Sequence, residues 1–109
     1  MTWKILEYET TRKERAVTEF IKNQQPATIA KVVHLIDLLE IHGPTLSMPH
    51  AKRLDMNLYE LRIRGKEEVR ILYGFKGKTI YLLHGFKKKT QKTPAKELEL
   101  AKLRFTSLT

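Results

Sequence analysis

Between Leu58 and Thr93 three short runs rich in β-branched and aromatic residues follow one another almost without spacers, which leaves this chain little choice but an antiparallel meander. The runs are Leu58-Tyr59-Glu60-Leu61-Arg62-Ile63-Arg64, Glu68-Val69-Arg70-Ile71-Leu72-Tyr73-Gly74-Phe75 and Thr79-Ile80-Tyr81-Leu82-Leu83-His84-Gly85-Phe86. Gly65 follows the first run and Lys76-Gly77 the second, as tight turns between hairpin strands require. A basic tail, Lys87-Lys88-Lys89-Thr90-Gln91-Lys92-Thr93, comes directly after.

Side chains alternate faces along a strand, so the turn length decides which residues meet. A three-residue loop, Gly65-Lys66-Glu67, sets Arg64 opposite Glu68, Ile63 opposite Val69, Arg62 opposite Arg70, Leu61 opposite Ile71 and Tyr59 opposite Tyr73. Tyr59, Leu61, Ile63, Val69, Ile71 and Tyr73 then form one apolar surface. Arg62, Arg64 and Arg70 share the other face with Glu60, Glu68 and Leu72. Like charges directly opposite repel, so an Arg62/Arg70 pair calls for an anion. That anion is either a bound phosphate, whose oxygens match guanidinium forks, or the neighbouring Glu60 and Glu68 on a solvated face. A two- or four-residue turn would separate the two arginines.

A chain of 109 residues accommodates one core, hence a single domain over residues 1–109. It has no cysteine, which removes disulfides and thiol chemistry from consideration. No apolar run approaches membrane length and the first residues lack the apolar block of a signal peptide, so a cytoplasmic protein with no membrane partner is expected. The net charge of +9 is segregated: residues 1–49 hold six basic and six acidic residues, residues 50–109 fifteen basic and six acidic. A basic second half on a neutral first half suits a polyanion-binding face.

In chain order, Trp3 to Tyr8 reads as a strand. Thr11 and Glu14 fit a capping box, with Ala16, Val17, Phe20 and Ile21 at helical spacing for a helix of about three turns. Pro26 opens a second helix, with Ile29, Val32, Val33, Ile36 and Leu39 as its buried stripe and Gly43-Pro44 as its stop. His34 and His42 are read as ordinary helix residues. A loop to His50 and a short strand from Ala51 to Asp55 lead into the meander. After Thr93-Pro94 a last helix carries Leu98, Ala101, Phe105 and Leu108 as a stripe. The layout is α+β with the helices packed on one sheet face: an N-terminal strand and a helical hairpin on an antiparallel sheet, then a C-terminal helix, with the other face concave and basic.

These residues resemble a known family. Lys52-Arg53-Leu54, Leu58-Tyr59-Glu60-Leu61-Arg62, Arg70 with Tyr73, and Leu82-Leu83-His84-Gly85-Phe86-Lys87-Lys88-Lys89-Thr90-Gln91-Lys92-Thr93-Pro94, followed by Glu97 and Ala101, are similar to the HigB-like, phage-associated branch of the RelE/ParE toxin superfamily. The likeness runs from Trp3 to Phe105, and the Gly-Phe-x-Lys-Lys-Thr-x-Lys-Thr-Pro ending is its most specific piece. It implies a RelE-like fold and the toxin of a type II toxin–antitoxin pair. RelE and HigB members cut mRNA in the ribosomal A site, and a small helix-turn-helix antitoxin commonly silences this branch. The implied partners are an antitoxin, the ribosome and mRNA; no cofactor or metal is implied.

The resemblance gives Arg70 the place of the arginine beside the scissile phosphate. Arg62 preserves a cation where RelE has lysine, whereas Glu60 reverses the charge of a second RelE lysine. Lys87 or Lys88 stands near the basic residue that follows RelE's last strand, and RelE's late catalytic tyrosine has no counterpart. RNA cleavage by 2′-hydroxyl attack needs a base, cationic stabilisation and an acid. Arg70 and Arg62 suit the second task; Glu60 or His84 is a candidate base, and His84 or a lysine such as Lys87 a candidate acid. The bland alternatives are a strand histidine under the last helix for His84 and a salt bridge to Arg62 or Arg70 for Glu60. Lys52, Arg53, Arg64, Lys88, Lys89 and Lys92 are expected to grip RNA phosphates. Tyr73 and Phe86 are the candidates for stacking a base, with Tyr73 on the apolar side by parity. A ParE-like gyrase inhibitor and a non-catalytic basic nucleic-acid-binding module are the competing functions.

Overall fold

The computed structural model describes residues 2–108. Along the chain run β1 (Lys4–Glu7), α1 (Ala16–Lys22), α2 (Pro26–His42), a short 3-10 turn (Gly43–Thr45), β2 (Ala51–Asp55), β3 (Leu58–Ile63), β4 (Val69–Lys76), β5 (Thr79–Lys87) and α3 (Ala95–Thr106). The sheet order is β1-β5-β4-β3-β2.

The meander has the register that the three-residue loop dictates: Arg62 faces Arg70, Leu61 faces Ile71 and Tyr59 faces Tyr73. A two-residue turn joins β4 to β5, with Gly77 at a φ of 62°, where a side chain would be strained. The sheet as a whole is mixed, because β1 lies parallel to β5 with Ile5 beside Ile80. Two helices intervene between β1 and the meander, long enough to carry the chain back to a parallel position.

Helix α2 starts with Pro26 in its first turn and stops at Gly43, as its sequence signals indicate. Helix α1 departs from expectation. It covers only seven residues and its N-cap residue, Arg15, makes no capping bond; the Glu7 carboxylate of β1 accepts the Thr18 N–H of the first turn at 3.3 Å. The Glu14 N–H donates to the Thr10 hydroxyl instead, forming a turn before the helix, so Thr11 and Glu14 make no capping box.

Apolar parity separates two cores. On one face Val17, Val32, Leu35 and Leu39 from α1 and α2 pack on Leu61, Ile63, Val69, Ile71 and Tyr73. On the other face α3 covers Leu58, Leu72, Leu83 and Phe86, with Ala101 at the contact and Leu98 and Phe105 beside it. The C-terminal helix therefore sits opposite the helical hairpin, not on the same face as the sequence reading has it, because the middle of that second face is apolar as well. The end of the face that carries Glu60, Arg62 and Arg70 is met instead by the loop after β5, whose Thr93 donates to Glu60.

Gly74 sits on this second face beneath α3. A Cβ there would lie 2.7 Å from the Phe105 ring and 2.8 Å from the backbone oxygen of Asn57. The oxygen cannot step aside, so Gly74→Ala is expected to cost about 1–3 kcal/mol. Thermal unfolding measures this, and an unchanged midpoint would contradict the packing described.

Candidate functional site

The site begins with a buried ion cluster on β3 and β4. Glu60 is 1% exposed and Arg70 2%. The Glu60 carboxylate lies 3.4 Å from Arg70 Nε and 3.6 Å from Arg62 Nε through Oε1, while Oε2 accepts a 2.6 Å hydrogen bond from the Thr93 hydroxyl. One carboxylate thus neutralises two guanidiniums and ties the basic loop to the sheet. Such a buried charge is tolerable only with its partners in place.

Arg70 is held on its other edge too. Its Nη1 donates to the Val69 carbonyl at 2.9 Å and its Nη2 to Glu68 Oε1 at 2.9 Å. The same Glu68 oxygen lies 3.6 Å from Arg64. These arginines hold the Glu68 carboxyl below its ordinary range, chiefly through the Arg70 hydrogen bond. Arg62 is held more loosely: beyond Glu60 its partner is the Met48 thioether at 3.0 Å, a weak acceptor. The Nε atoms of Arg62 and Arg70 are both buried without an aligned acceptor. The cluster has more donors than its own acceptors use.

An open cleft of about 660 Å³ runs over this cluster, lined by Arg62, Arg64, Glu68, Arg70, Lys88, Lys89, Thr90 and Gln91. A second hollow beside it adds Lys52, Glu60, Lys92 and Thr93. Lys88 sits between them. Burial lowers its ammonium from the ordinary range, and Arg70, Arg62 and Lys52 push the same way against the attraction of Glu60.

Of the residues read from the sequence as candidates, the fold brings Arg62, Arg70, Glu60, Arg64, Lys52, Lys88, Lys89 and Lys92 to these adjoining hollows. Three stand elsewhere. Lys87 is the last residue of β5, beside Val69, so parity turns it to the opposite face, where it pairs with Glu67 at 2.7 Å. Arg53 faces Tyr59 across β2 and β3 and donates to the Asp55 and Met56 carbonyls, bracing the hairpin turn. His84 lies opposite Leu72, a strand beyond it from Glu60. It stacks on Phe86, with ring centroids 5.6 Å apart, and its Nε2 is 3.3 Å from Glu97 of α3. Glu68 serves as a counter-ion of the arginine pair, as one of the two sequence readings has it, although Arg70 and Glu60 are buried and not on a solvated face. The reach of Thr93 to Glu60 is what sequence reasoning missed, since it arises only where the loop meets the sheet.

Burial lowers the His84 imidazole below its ordinary 6.5, outweighing the opposite pull of Glu97, and Arg104 adds to the lowering. Folding therefore favours the neutral ring. As pH falls from about 6.5 through the lowered value, the unfolded chain takes up this proton first, and stability is lost across that window. His84→Gln is expected to lose less stability than wild type between pH 7.5 and 5 in thermal unfolding. Equal losses would show that the ring does not contribute.

The family model described as Phage derived protein Gp49-like (DUF891) matches residues 19–106. The chain belongs to this family. It is a RelE/toxin-like family, and the matched span contains every residue of the cleft. No curated protein matches the chain. No helix among the described residues of this Gp49-like protein is long and apolar enough to cross a membrane.

Proposed function

We propose that this Gp49-like protein is the toxin of a type II toxin–antitoxin pair in the HigB-like branch, acting as a ribosome-dependent endoribonuclease. The observation that carries the reading is the Arg62/Arg70 pair, two guanidiniums opposed across adjacent strands, clamped by one buried carboxylate at the floor of a cationic cleft.

In this mechanism the ribose 2′-oxygen attacks the adjacent phosphorus and the bond to the 5′-oxygen breaks, leaving a 2′,3′-cyclic phosphate and a 5′-hydroxyl. Negative charge grows on the phosphoryl oxygens, and Arg62 and Arg70 donate to them. Because Glu60 holds both guanidiniums before substrate arrives, little reorganisation is needed. Glu60 acts as a positioning residue, since its two oxygens are engaged with the guanidiniums and Thr93. Lys88, whose burial makes its proton easier to give up, protonates the leaving 5′-oxygen, and the 2′-hydroxyl proton passes to solvent water. Lys52, Lys89 and Lys92 hold the flanking backbone. A cognate antitoxin silences the protein by covering this basic face or by keeping it from the ribosome.

Glu68 stands where a substrate phosphate must come, with one oxygen shared by Arg70 and Arg64. Substrate has to displace it, so removing its charge favours RNA. Glu68→Gln is expected to bind a non-cleavable oligoribonucleotide several-fold more tightly at low salt, by fluorescence anisotropy, with the gain shrinking as salt rises. Weaker binding by the variant would show that Glu68 supports the RNA site instead of occupying it.

The functional test is reconstituted translation with purified ribosomes. A message paused in the A site should be cut, and the same message without ribosomes should survive. Tight, salt-sensitive RNA binding with no cleavage on ribosomes would favour a non-catalytic binding module.

A further inference from the structure

Neither aromatic that the sequence offers for stacking is free to take a base. Tyr73 is 1% exposed and Phe86 6%, the first within the main core and the second beneath α3. An RNA strand with one phosphate in the cationic cleft must still place the neighbouring base somewhere.

A separate cavity of about 440 Å³ adjoins the cleft, and Arg62 and Arg64 line both. Its other walls come from two segments far apart in sequence. Helix α2 contributes Ala30, His34 and Leu35, and the approach to β2 contributes Pro49 and His50. The topology makes the slot: the His50 carbonyl accepts the Arg62 N–H at 2.8 Å, fixing Pro49 and His50 along the sheet's edge, while Lys31 of α2 donates to the Arg64 carbonyl at 2.8 Å from the other side.

We propose that this slot receives the unpaired nucleobase next to the phosphate held in the cleft. The proposal rests on the RNA-cleaving reading above and adds a base-binding subsite to it. The volume falls within the range of small-ligand sites, roughly 300–1,000 Å³. Apolar walls flanked by imidazole and guanidinium planes suit the face of a base. None of the lining residues is acidic, and Lys31, Arg62 and Arg64 place three cations around the slot, which favours an anionic guest such as a nucleotide over a cationic or neutral apolar one. Arg62 and Arg64 join the two sites, so one nucleotide spans them with its base in the slot and its phosphate in the cleft.

The test uses 2′-O-methyl hexaribonucleotides, which lack the attacking hydroxyl, in a series with one abasic position each and an unchanged phosphate count. Wild-type protein should lose about tenfold in affinity at one abasic position. Ala30 is exposed on α2, so Ala30→Leu narrows the slot without disturbing the core, and His50→Ala removes one wall. Both variants should bind the intact hexamer about as weakly as wild type binds the sensitive abasic one, and that abasic position should then cost them nothing more. A flat abasic profile in wild type, or a profile that both variants leave intact, would overturn the slot. If wild type also still cuts mRNA on ribosomes, the slot alone falls; if it neither binds the hexamers nor cuts, the ribonuclease reading falls with it.

Discussion

Arg70→Lys is expected to reduce ribosome-dependent cleavage by about 10²- to 10³-fold, the usual effect of removing one preorganised donor from a developing oxyanion, in a protein that still folds. Lysine retains a cation opposite Glu60, so the buried carboxylate is not stranded. It cannot reproduce the planar fork with which Arg70 meets Glu68, the Val69 carbonyl and Glu60 together, and a point charge on a flexible stem does not present two fixed donors to a phosphate. Arg70→Ala is a poorer probe, since it leaves Glu60 with Arg62 alone and mixes instability with lost chemistry. Cleavage assays beside thermal unfolding separate the two; a folded Arg70→Lys protein with wild-type cleavage would remove Arg70 from the mechanism.

The second large effect is on stability. Glu60→Ala would leave the guanidiniums of Arg62 and Arg70, with side chains 13% and 3% exposed, facing each other across the strands without their shared counter-ion. Breaking a buried pair in this way costs roughly 3–5 kcal/mol, and the Thr93 hydroxyl loses its acceptor as well. For a domain of this size that is a fall in unfolding midpoint of more than about 10 °C. Glu60→Gln should fall between wild type and Glu60→Ala, because the amide oxygen can still accept from Thr93 but carries no charge. Chemical denaturation of the three proteins measures the order. A change below about 1 kcal/mol for Glu60→Ala would mean that solvent already compensates the arginines.

The register of the meander was legible because it depends on a single local quantity, the length of the Gly65-Lys66-Glu67 loop, and side-chain parity then assigns both faces of β3 and β4. The Arg62/Arg70 opposition, the apolar face under α2 and the α+β layout all follow from that. Two other features depend on packing between distant segments, which no local pattern encodes. One is the parallel pairing of β1 with β5; the other is the docking of α3 on the second face, which became visible only when Leu58, Leu72, Leu83 and Phe86 gathered in one patch. Within the site, a difference of one residue mattered most. Lys87 ends β5 and Lys88 begins the loop, so the strand boundary alone sends one lysine to Glu67 and the other into the cleft. Thr93 stood out in the sequence only as part of the Thr-Pro helix start and of the family-like ending; its closing of the loop onto Glu60 depends on the fold.

The central claim is best tested by inducing the wild-type protein and Arg70→Lys in growing bacterial cells and mapping mRNA 5′ ends. Wild type is expected to stop growth and produce new in-frame cuts in translated messages, while Arg70→Lys does neither at equal expression. Growth arrest by wild type without any new 5′ ends would contradict that claim and move the gyrase-inhibitor reading ahead.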